Sequence, residues 1–456
     1  MMGRSFTRRS FLATTGIASA VALSSGHARA ARKEVRLLHT QAADPKMRQW
    51  YMDAIAEYNS QTSDVEIVCE FIPWSDAYTK IQAGLQSGTA PDFIHADPTG
   101  YAALLKADLV MPLTDTVSKI GWTIPPNLRI TKGDGNDYVI PTWIEILGLN
   151  YRRDWLAEVG LAGPFKSWDE VIAAAKAMTN PDKGRWGISM GLKREGKCGD
   201  DFLSLYTGFG GHLYAPDRTP AINNDLFKQT LEIMRRLCES APPDAIEWEY
   251  AGTRTGYKTE KVGMNIYEGR TIIEILGEQN GGYGAGFPNL MDVTDWQLLP
   301  PLAASDWPKK AFVRSGIEGF SILKDSPNIA AANKFLIWLL GDRNRYVSML
   351  ATVPYMEIPV LDAIADDPSY WKNPAYQRRP DLIPKLQEAI RVAGDSALPN
   401  NYIDEYPDKH VVIPETAIAV ASLALDDAVL GYVLEKKSAD EVIATLQGTL
   451  ADFVKE

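Results

Sequence analysis

The chain is poor in the residues that build cross-linked, redox and metal sites: three cysteines and five histidines in 456 residues. Three cysteines are too few for a disulfide framework, and the odd number leaves at least one thiol unpaired. Cys69 falls in a strand-like run and Cys238 on a helix face, so both read as core thiols. Cys198, in the Gly-rich stretch 196–201, is the most exposed of the three by sequence, and whether any two of them pair is left open. No C-x-x-C, no H-E-x-x-H and no G-x-x-x-x-G-K-[ST] occurs, so no cofactor, no metal and no catalytic residue is expected. Long apolar runs are missing as well. Ala417 to Leu425 is apolar but short, and Asp426-Asp427 follow it, which argues against a transmembrane helix. Positive charge is in deficit. The formal net charge of −11 argues against a nucleic-acid partner.

What is present begins with an address. Arg8-Arg9 precede a short, weakly apolar run from Phe11 to Leu23, and Ala28-Arg29-Ala30 supplies a small-x-small cleavage triplet. The pattern resembles a twin-arginine export signal over residues 1–30. No cysteine follows the triplet, so a lipid anchor there is not expected. Removal of the segment takes four arginines and moves the net charge to −15. The expected location is the periplasm. The length predicts two or three domains with a core that needs no staples.

Periodicity gives an alternation of strands and helices. Strands are predicted at Val35–His39, Val65–Phe71, 90–94, Val139–Leu149, Trp186–Met190, Val262–Tyr267, Trp296–Leu299 and Gly319–Leu323. Helices are predicted from Asp44-Pro45, over 76–86, near 101–106, over 225–239, 271–278 and 328–340, and again beyond Leu361. Ser167 and Glu170 form an S-x-x-E capping box before an apolar stripe of Val171, Ala174, Ala175 and Met178. Such alternation implies α/β architecture with mostly parallel sheets and helices on both faces. Glu145 stands out, because a carboxylate inside an apolar strand needs solvent, a partner or a ligand.

An ordered set of short motifs then carries a family resemblance. Ser87-Gly88-Thr89-Ala90-Pro91-Asp92-Phe93, Ala107 to Leu113, Tyr138 to Pro141, Trp168-Asp169-Glu170, Gly210-Gly211, Val262-Gly263-Met264 and Ala331 to Leu340 follow one another as they do in the solute-binding proteins of bacterial ABC importers. The chain resembles the carbohydrate-type, maltose-binding-like members over nearly its whole mature length. The resemblance implies two α/β lobes joined by a hinge, with a ligand cleft between them. One lobe would hold 31–143 and 317–361, the other 144–316 and 362–456, with crossings near 143–148 and 312–318. It implies capture of a sugar, oligosaccharide or polyol, delivery to the permease subunits, a monomeric state and no enzymatic activity. The stretch from Asp366 to His410 is long for the family.

Sugars stack their C–H faces on aromatic rings and offer hydroxyls to carboxylates, amides and guanidinium groups. Candidates for that work at strand ends are Trp74, Asp97, Thr99, Trp143, Glu145, Tyr267, Glu268, Arg270, Glu318 and Tyr355. Glu145 aligns with a hydroxyl-binding glutamate of the family. At Gly269-Arg270 the family usually has Gly-Pro-Trp, so the chain departs from it there. Arg270 keeps open an acidic or sulfonated sugar. Each candidate also has a structural reading. Trp74 and Trp143 fit as core aromatics, Asp97 as a helix N-cap, Arg270 as the partner of Glu274 one turn on, and Glu145 as an interlobe salt bridge. The alternative function is a secreted carbohydrate-active or ester hydrolase. Gly187-Ile188-Ser189-Met190-Gly191 matches G-x-S-x-G, but the following residues lack the helix that a nucleophile elbow requires.

Overall fold

The computed structural model describes residues 32–40, 44–73, 76–276, 287–306, 315–395, 404–406 and 411–455. Residues 1–30, read above as an export signal, Trp74 and most of 396–410 lie outside these residues.

The chain runs β1 (Lys33–His39), α1 (Pro45–Gln61), β2 (Val65–Phe71), α2 (Ala77–Ser87), β3 (Phe93–Ala96), α3 (Pro98–Lys106), α4 (Thr114–Ile120) and β4 (Ile140–Ile146). It continues as β5 (Gly148–Arg152), α5 (Arg153–Glu158), α6 (Trp168–Met178), β6 (Trp186–Ile188), α7 (Lys197–Gly208), α8 (Asp225–Cys238), α9 (Tyr250–Lys258) and β7 (Val262–Tyr267). After α10 (Arg270–Leu276), α11 (Pro288–Val293) and β8 (Thr294–Leu298) come β9 (Ser315–Ile322), α12 (Ile329–Gly341), α13 (Arg343–Leu350) and β10 (Ile358–Pro359). The remainder holds α14 (Asp362–Ala365), α15 (Pro374–Gln377), α16 (Ile383–Asp395), β11 (Asp404–Tyr406), β12 (Val411–Ile413), α17 (Glu415–Ala421), α18 (Ala424–Val433) and α19 (Ala439–Lys455).

Two sheets organise these elements into two lobes. The larger has the order β10-β4-β9-β3-β1-β2, the smaller β6-β7-β5-β8. They are mixed, not mostly parallel: β1 is parallel to β2 and β3, and β6 to β7, whereas β4, β5, β9 and β10 lie antiparallel to the strands they pair with. The reason is the crossing. The single apolar run predicted over Val139–Leu149 is two strands in different sheets, separated only by Leu147. β9 returns to the larger sheet from the opposite direction after β8. The carboxyl ends of β1, β3 and β4, the start of β9 and the approach to β10 therefore share one edge. The smaller sheet presents Gly148, Tyr267 and Leu298 to that same junction through their mutual pairing.

Local signals hold where they rest on amphipathic spacing. All five apolar positions of α1 (Met47, Tyr51, Ala54, Ile55 and Tyr58) are buried. Ser167 Oγ accepts the Glu170 N–H at 3.4 Å, and Glu170 Oε2 accepts the N–H of Lys166 at 2.7 Å, one residue short of the reciprocal capping bond. The stretch containing Cys198 is no exposed loop. It is the first turn of α7, in which Lys197 through Thr207 are all buried, and Cys198 is 0% exposed. Gly196 enters this helix at φ 99°, and Asp426 of α18 accepts the N–H groups of Gly196 and Gly199, both at 2.6 Å. Lys197 and Asp201 form an ion pair inside the same helix. All three cysteines are free thiols.

The C-terminal helices touch both lobes. α17 packs on α3, α18 on α7 and α8, and α16 on β8 and on residues 126–128. No single helix among the described residues is long and apolar enough to cross a membrane. The apolar run at 417–425 is split by a break of 58° between α17 and α18, at Leu423 with φ 62°.

Candidate functional site

The junction between the sheets collects an unusual density of buried polar groups. On the larger sheet, register places His39 beside His95, His95 beside Phe320, and Trp143 beside Glu318 and Pro359. Glu145 lies two residues further along β4, opposite Gly316. Side chains opposite one another in a ladder point to the same face. One face of this edge therefore carries His39, His95, Glu318, Trp143 and Glu145, and Glu357 arrives immediately before β10.

The rings form a continuous stack. His39 and His95 lie parallel with centroids 4.2 Å apart, and His95 meets Trp143 at 4.5 Å and an interplanar angle of 31°. His95 Nε2 and Thr142 Oγ1 are 2.8 Å apart, while Tyr346 donates its hydroxyl to the Thr142 carbonyl at 2.7 Å. Burial drives the His39 pKa down to about 3. It pulls His95 well below its ordinary value too, with His39 adding to the shift. Both imidazoles are neutral at pH 7. The approach of His95 Nδ1 to Glu318 Oε2 at 3.9 Å is accordingly not an ion pair in effect, whatever the nominal charges.

The smaller sheet contributes the guanidinium. Arg270, at the start of α10, crosses the junction and donates to Asp44 Oδ2 at 2.7 Å, just ahead of α1. Glu274, offered by the sequence as the alternative partner one turn on, is engaged by other cations: it takes Arg254 at 2.9 Å and Lys258 at 2.6 Å, which point back into the same lobe. Gly269 allows the crossing, since a Cβ there would sit 2.0 Å from the carbonyl oxygen of Tyr355. Burial works against the charge on Arg270, but Asp44, Glu268 and Glu145 more than offset it and hold its pKa above the ordinary value.

Glu357 is the most anomalous group. It is 0% exposed and neither carboxyl oxygen has a hydrogen-bond partner among the described residues. Burial raises its pKa well above the usual carboxylate range, and Asp44, Glu318 and Glu145 add to the rise against Arg270. Thr40 Oγ1, Asp44 Oδ1 and Trp143 Nε1 are likewise buried without a partner among the described residues. Unpaired buried polar atoms are costly, each by about 1–3 kcal/mol. Their gathering at one junction makes it the candidate site.

Of the residues singled out from sequence, Trp143, Glu145, Glu268, Arg270 and Glu318 are brought together here. Tyr267 ends β7 at the same junction, but its hydroxyl is engaged by Arg254 and its ring by the Lys197 ammonium, 5.2 Å from the centroid. Tyr355 is not brought in. It adopts φ 71°, donates its hydroxyl to the Ala375 carbonyl at 2.9 Å, and packs its ring on Tyr376 at 4.8 Å. Asp97 Oδ1 accepts the Gly100 N–H at 3.2 Å, a capping contact at the start of α3. Trp74 and the Thr99 side chain lie outside the described residues. Sequence reasoning missed His39, Thr40, Asp44, His95 and Glu357. The signals were present: two of only five histidines end adjacent strands, and Glu357 interrupts an apolar run as Glu145 does.

Ser189 has no elbow geometry. It is buried, its hydroxyl takes the Asn265 amide at 2.8 Å, and the next helix begins only at Lys197.

With the geometry in place, the comparisons are consistent with one another. The family described as bacterial extracellular solute-binding protein matches residues 44–346. Among solved structures, the chain is similar to an ABC transporter solute-binding protein from Agrobacterium radiobacter K84 in complex with ribitol. The two share 18% identity at a TM-score of 0.71, over 92% of this chain and 98% of that one. It is similar as well to an ABC transporter solute-binding protein from Thermotoga lettingae TMO bound with α-D-tagatose, at 17% identity, TM-score 0.69, and 92% and 99% coverage. A third is the cyclic α-maltosyl-1,6-maltose binding protein from Arthrobacter globiformis, at 18% identity, TM-score 0.67, and 93% and 99% coverage. At this identity the likeness is one of fold. No curated protein matches the chain in sequence.

Proposed function

The chain belongs to the bacterial extracellular solute-binding protein family, and from that premise we propose that it captures a sugar, polyol or short oligosaccharide between its lobes. The solute is handed, unaltered, to the permease of an ABC importer. The observation that carries this reading is the group of buried polar atoms at the junction that have no partner among the described residues: Thr40 Oγ1, Asp44 Oδ1, Trp143 Nε1 and both oxygens of Glu357. A polyhydroxyl solute supplies donors and acceptors to each of them, and Trp143 offers indole surface beside its polar edge. The solutes named for the solved relatives (ribitol, tagatose and a maltose-type oligosaccharide) belong to this chemical class.

In this reading the lobes are 31–143 with 317–361 and 144–316 with 362–456, and the protein acts as a monomer in the periplasm after removal of residues 1–30. Closure of the lobes across the Asp44–Arg270 pair would give the permease a shape that distinguishes loaded from empty receptor. No catalysis is proposed. The alternative, a carbohydrate-active hydrolase, would need two carboxyl groups at a set separation across the cleft, so the test also looks for cleavage. A thermal-shift screen over sugars, polyols, sugar acids and amino acids, followed by chromatography of the recovered solute, addresses both points. Saturating solute at about 100 times its dissociation constant should stabilise by about 2.7 kcal/mol. A response to amino acids alone, or recovery of cleaved saccharide, would overturn the reading.

A further inference from the structure

An irregularity in β4 decides which side chains reach the junction. Ile140 and Pro141 stand opposite Phe320 and Gly319 of β9, but the next pairing is Trp143 with Glu318, so Thr142 is an extra residue in the ladder. Because side chains alternate along a strand, one inserted residue exchanges the two faces of everything that follows. Had the register run on unchanged, Thr142 and Ile144 would stand opposite Glu318 and Gly316. With the bulge, Trp143 and Glu145 stand there instead, on the face that carries His95 and Phe320. The neighbouring residues suit the insertion. Pro141 has no N–H to give to a continuous ladder. Gly319 permits the close approach opposite it, since a Cβ there would lie 2.4 Å from the Ile140 carbonyl oxygen.

Thr142 is fully buried, and its hydroxyl and carbonyl are held from three other elements. The hydroxyl lies 2.8 Å from His95 Nε2 of β3 and donates to the Glu318 carbonyl of β9 at 3.1 Å. The Thr142 carbonyl accepts the Tyr346 hydroxyl of α13 at 2.7 Å. A hydroxyl has one proton to give. With that proton on the Glu318 carbonyl, the contact with the imidazole is a bond from Nε2–H to Thr142 Oγ1, which makes His95 the Nε2–H tautomer. Burial keeps the ring neutral, so Nδ1 carries a lone pair, and Nδ1 is buried without a hydrogen-bond partner among the described residues. The same ring meets Trp143 at 4.5 Å. We propose that His95 is a positioning residue of the solute site: its Nε2–H, through Thr142, fixes the bulge that turns Trp143 and Glu145 into the junction. The inference rests on the solute-binding reading above.

Two measurements without solute and one with it test this on the full chain. With isotope-labelled histidine nitrogens, NMR should show His95 protonated at Nε2 and bare at Nδ1; the opposite tautomer overturns the inference. The indole N–H resonance of Trp143, assigned by its loss in Trp143→Phe, should move in Thr142→Val and in His95→Phe but hold its place in Thr142→Ser, which keeps the hydroxyl. A resonance unmoved by T142V and H95F overturns the inference. Calorimetry with ribitol, mannitol, tagatose and maltose then reads the role. For the tightest binder among these four, T142V and H95F should each weaken binding about tenfold or more, and T142S by less than about twofold. The double variant should lose no more than the worse single one, because both substitutions break the same bond. Undiminished binding by T142V and H95F, or losses that add in the double variant, overturns the inference and leaves the solute-binding reading intact. Should T142V and H95F fail to fold, the tautomer in the unsubstituted protein and the binding by T142S decide in the same way. Silence of the unsubstituted protein toward all four solutes overturns the solute-binding reading and the positioning role with it.

Discussion

Glu357 makes a quantitative demand on stability, separable from any ligand. Its carboxyl is buried, has no hydrogen-bond partner among the described residues, and is pushed well above the ordinary range by burial and by the neighbouring Asp44, Glu318 and Glu145. In the unfolded chain the same group ionises near pH 4.3. Between that pH and the raised folded value, the folded state holds a proton that the unfolded state has released. The stabilisation is fully present below about pH 4.3 and is lost as pH rises. One proton corresponds to about 1.4 kcal/mol per pH unit. Glu357→Gln keeps the shape and has no proton to lose. Its advantage over the unsubstituted protein should therefore grow by about 1.4 kcal/mol from pH 5 to pH 6. The appropriate assay is urea unfolding followed by tryptophan fluorescence, without ligand, on both proteins at closely spaced pH values. The unsubstituted protein alone would mislead, because His39 and His95 act in the opposite sense. Held neutral in the fold, they lower stability as pH falls below the ordinary histidine range. Both proteins carry them, so the difference isolates Glu357. A difference that stays flat from pH 5 to pH 6 would mean the carboxyl is ionised in the fold, and the account of the junction would be refuted.

Three further outcomes rest on contacts other than those of Glu357. Lys197→Met removes the ammonium paired with the buried Asp201 carboxylate in α7 and should cost about 3–5 kcal/mol in thermal unfolding, most of it recovered when Asp201→Leu is added. Asp426→Ala removes the acceptor of the Gly196 and Gly199 N–H groups. It should destabilise by about 1–3 kcal/mol and accelerate amide exchange at those two positions before any other part of α7. Gly269→Ala places a methyl group against the Tyr355 backbone, which cannot yield as a side chain would. The first turn of α10 should lose exchange protection while the rest of the smaller sheet keeps its own.

The legible parts of this fold were those in which one face of an element meets solvent. The stripe of α1 and the alternation of β2 name their buried faces directly. α7 was invisible for the converse reason. Its buried run includes the polar Lys197, Asp200 and Asp201, which read as solvent-facing, and Gly196 and Gly199 near its start read as a loop. No local pattern marked the strand break at Leu147, because the residues around it are buried whichever sheet they join, and only the family resemblance placed a crossing near 143–148. At the site, Glu145 and Trp143 were legible as odd residues in a strand, whereas Asp44 was not. Its meaning depends on Arg270, which lies 226 positions away in the chain. Charge partners brought together by tertiary structure leave no local trace, which is also why Glu274 looked like the natural partner of Arg270.

Leu147 is a single residue between two strands that belong to different sheets, and it is itself buried. A linker of that length has only a few soft backbone torsions to spend. Turning of one sheet against the other at this link would draw on those few torsions, more like a book on its spine than a pair of beads on a string. A single labelled pair, one probe on each sheet, would follow that turning. Any substitution that lengthens this link would change the number of ways the molecule can open before it changed how well it closes.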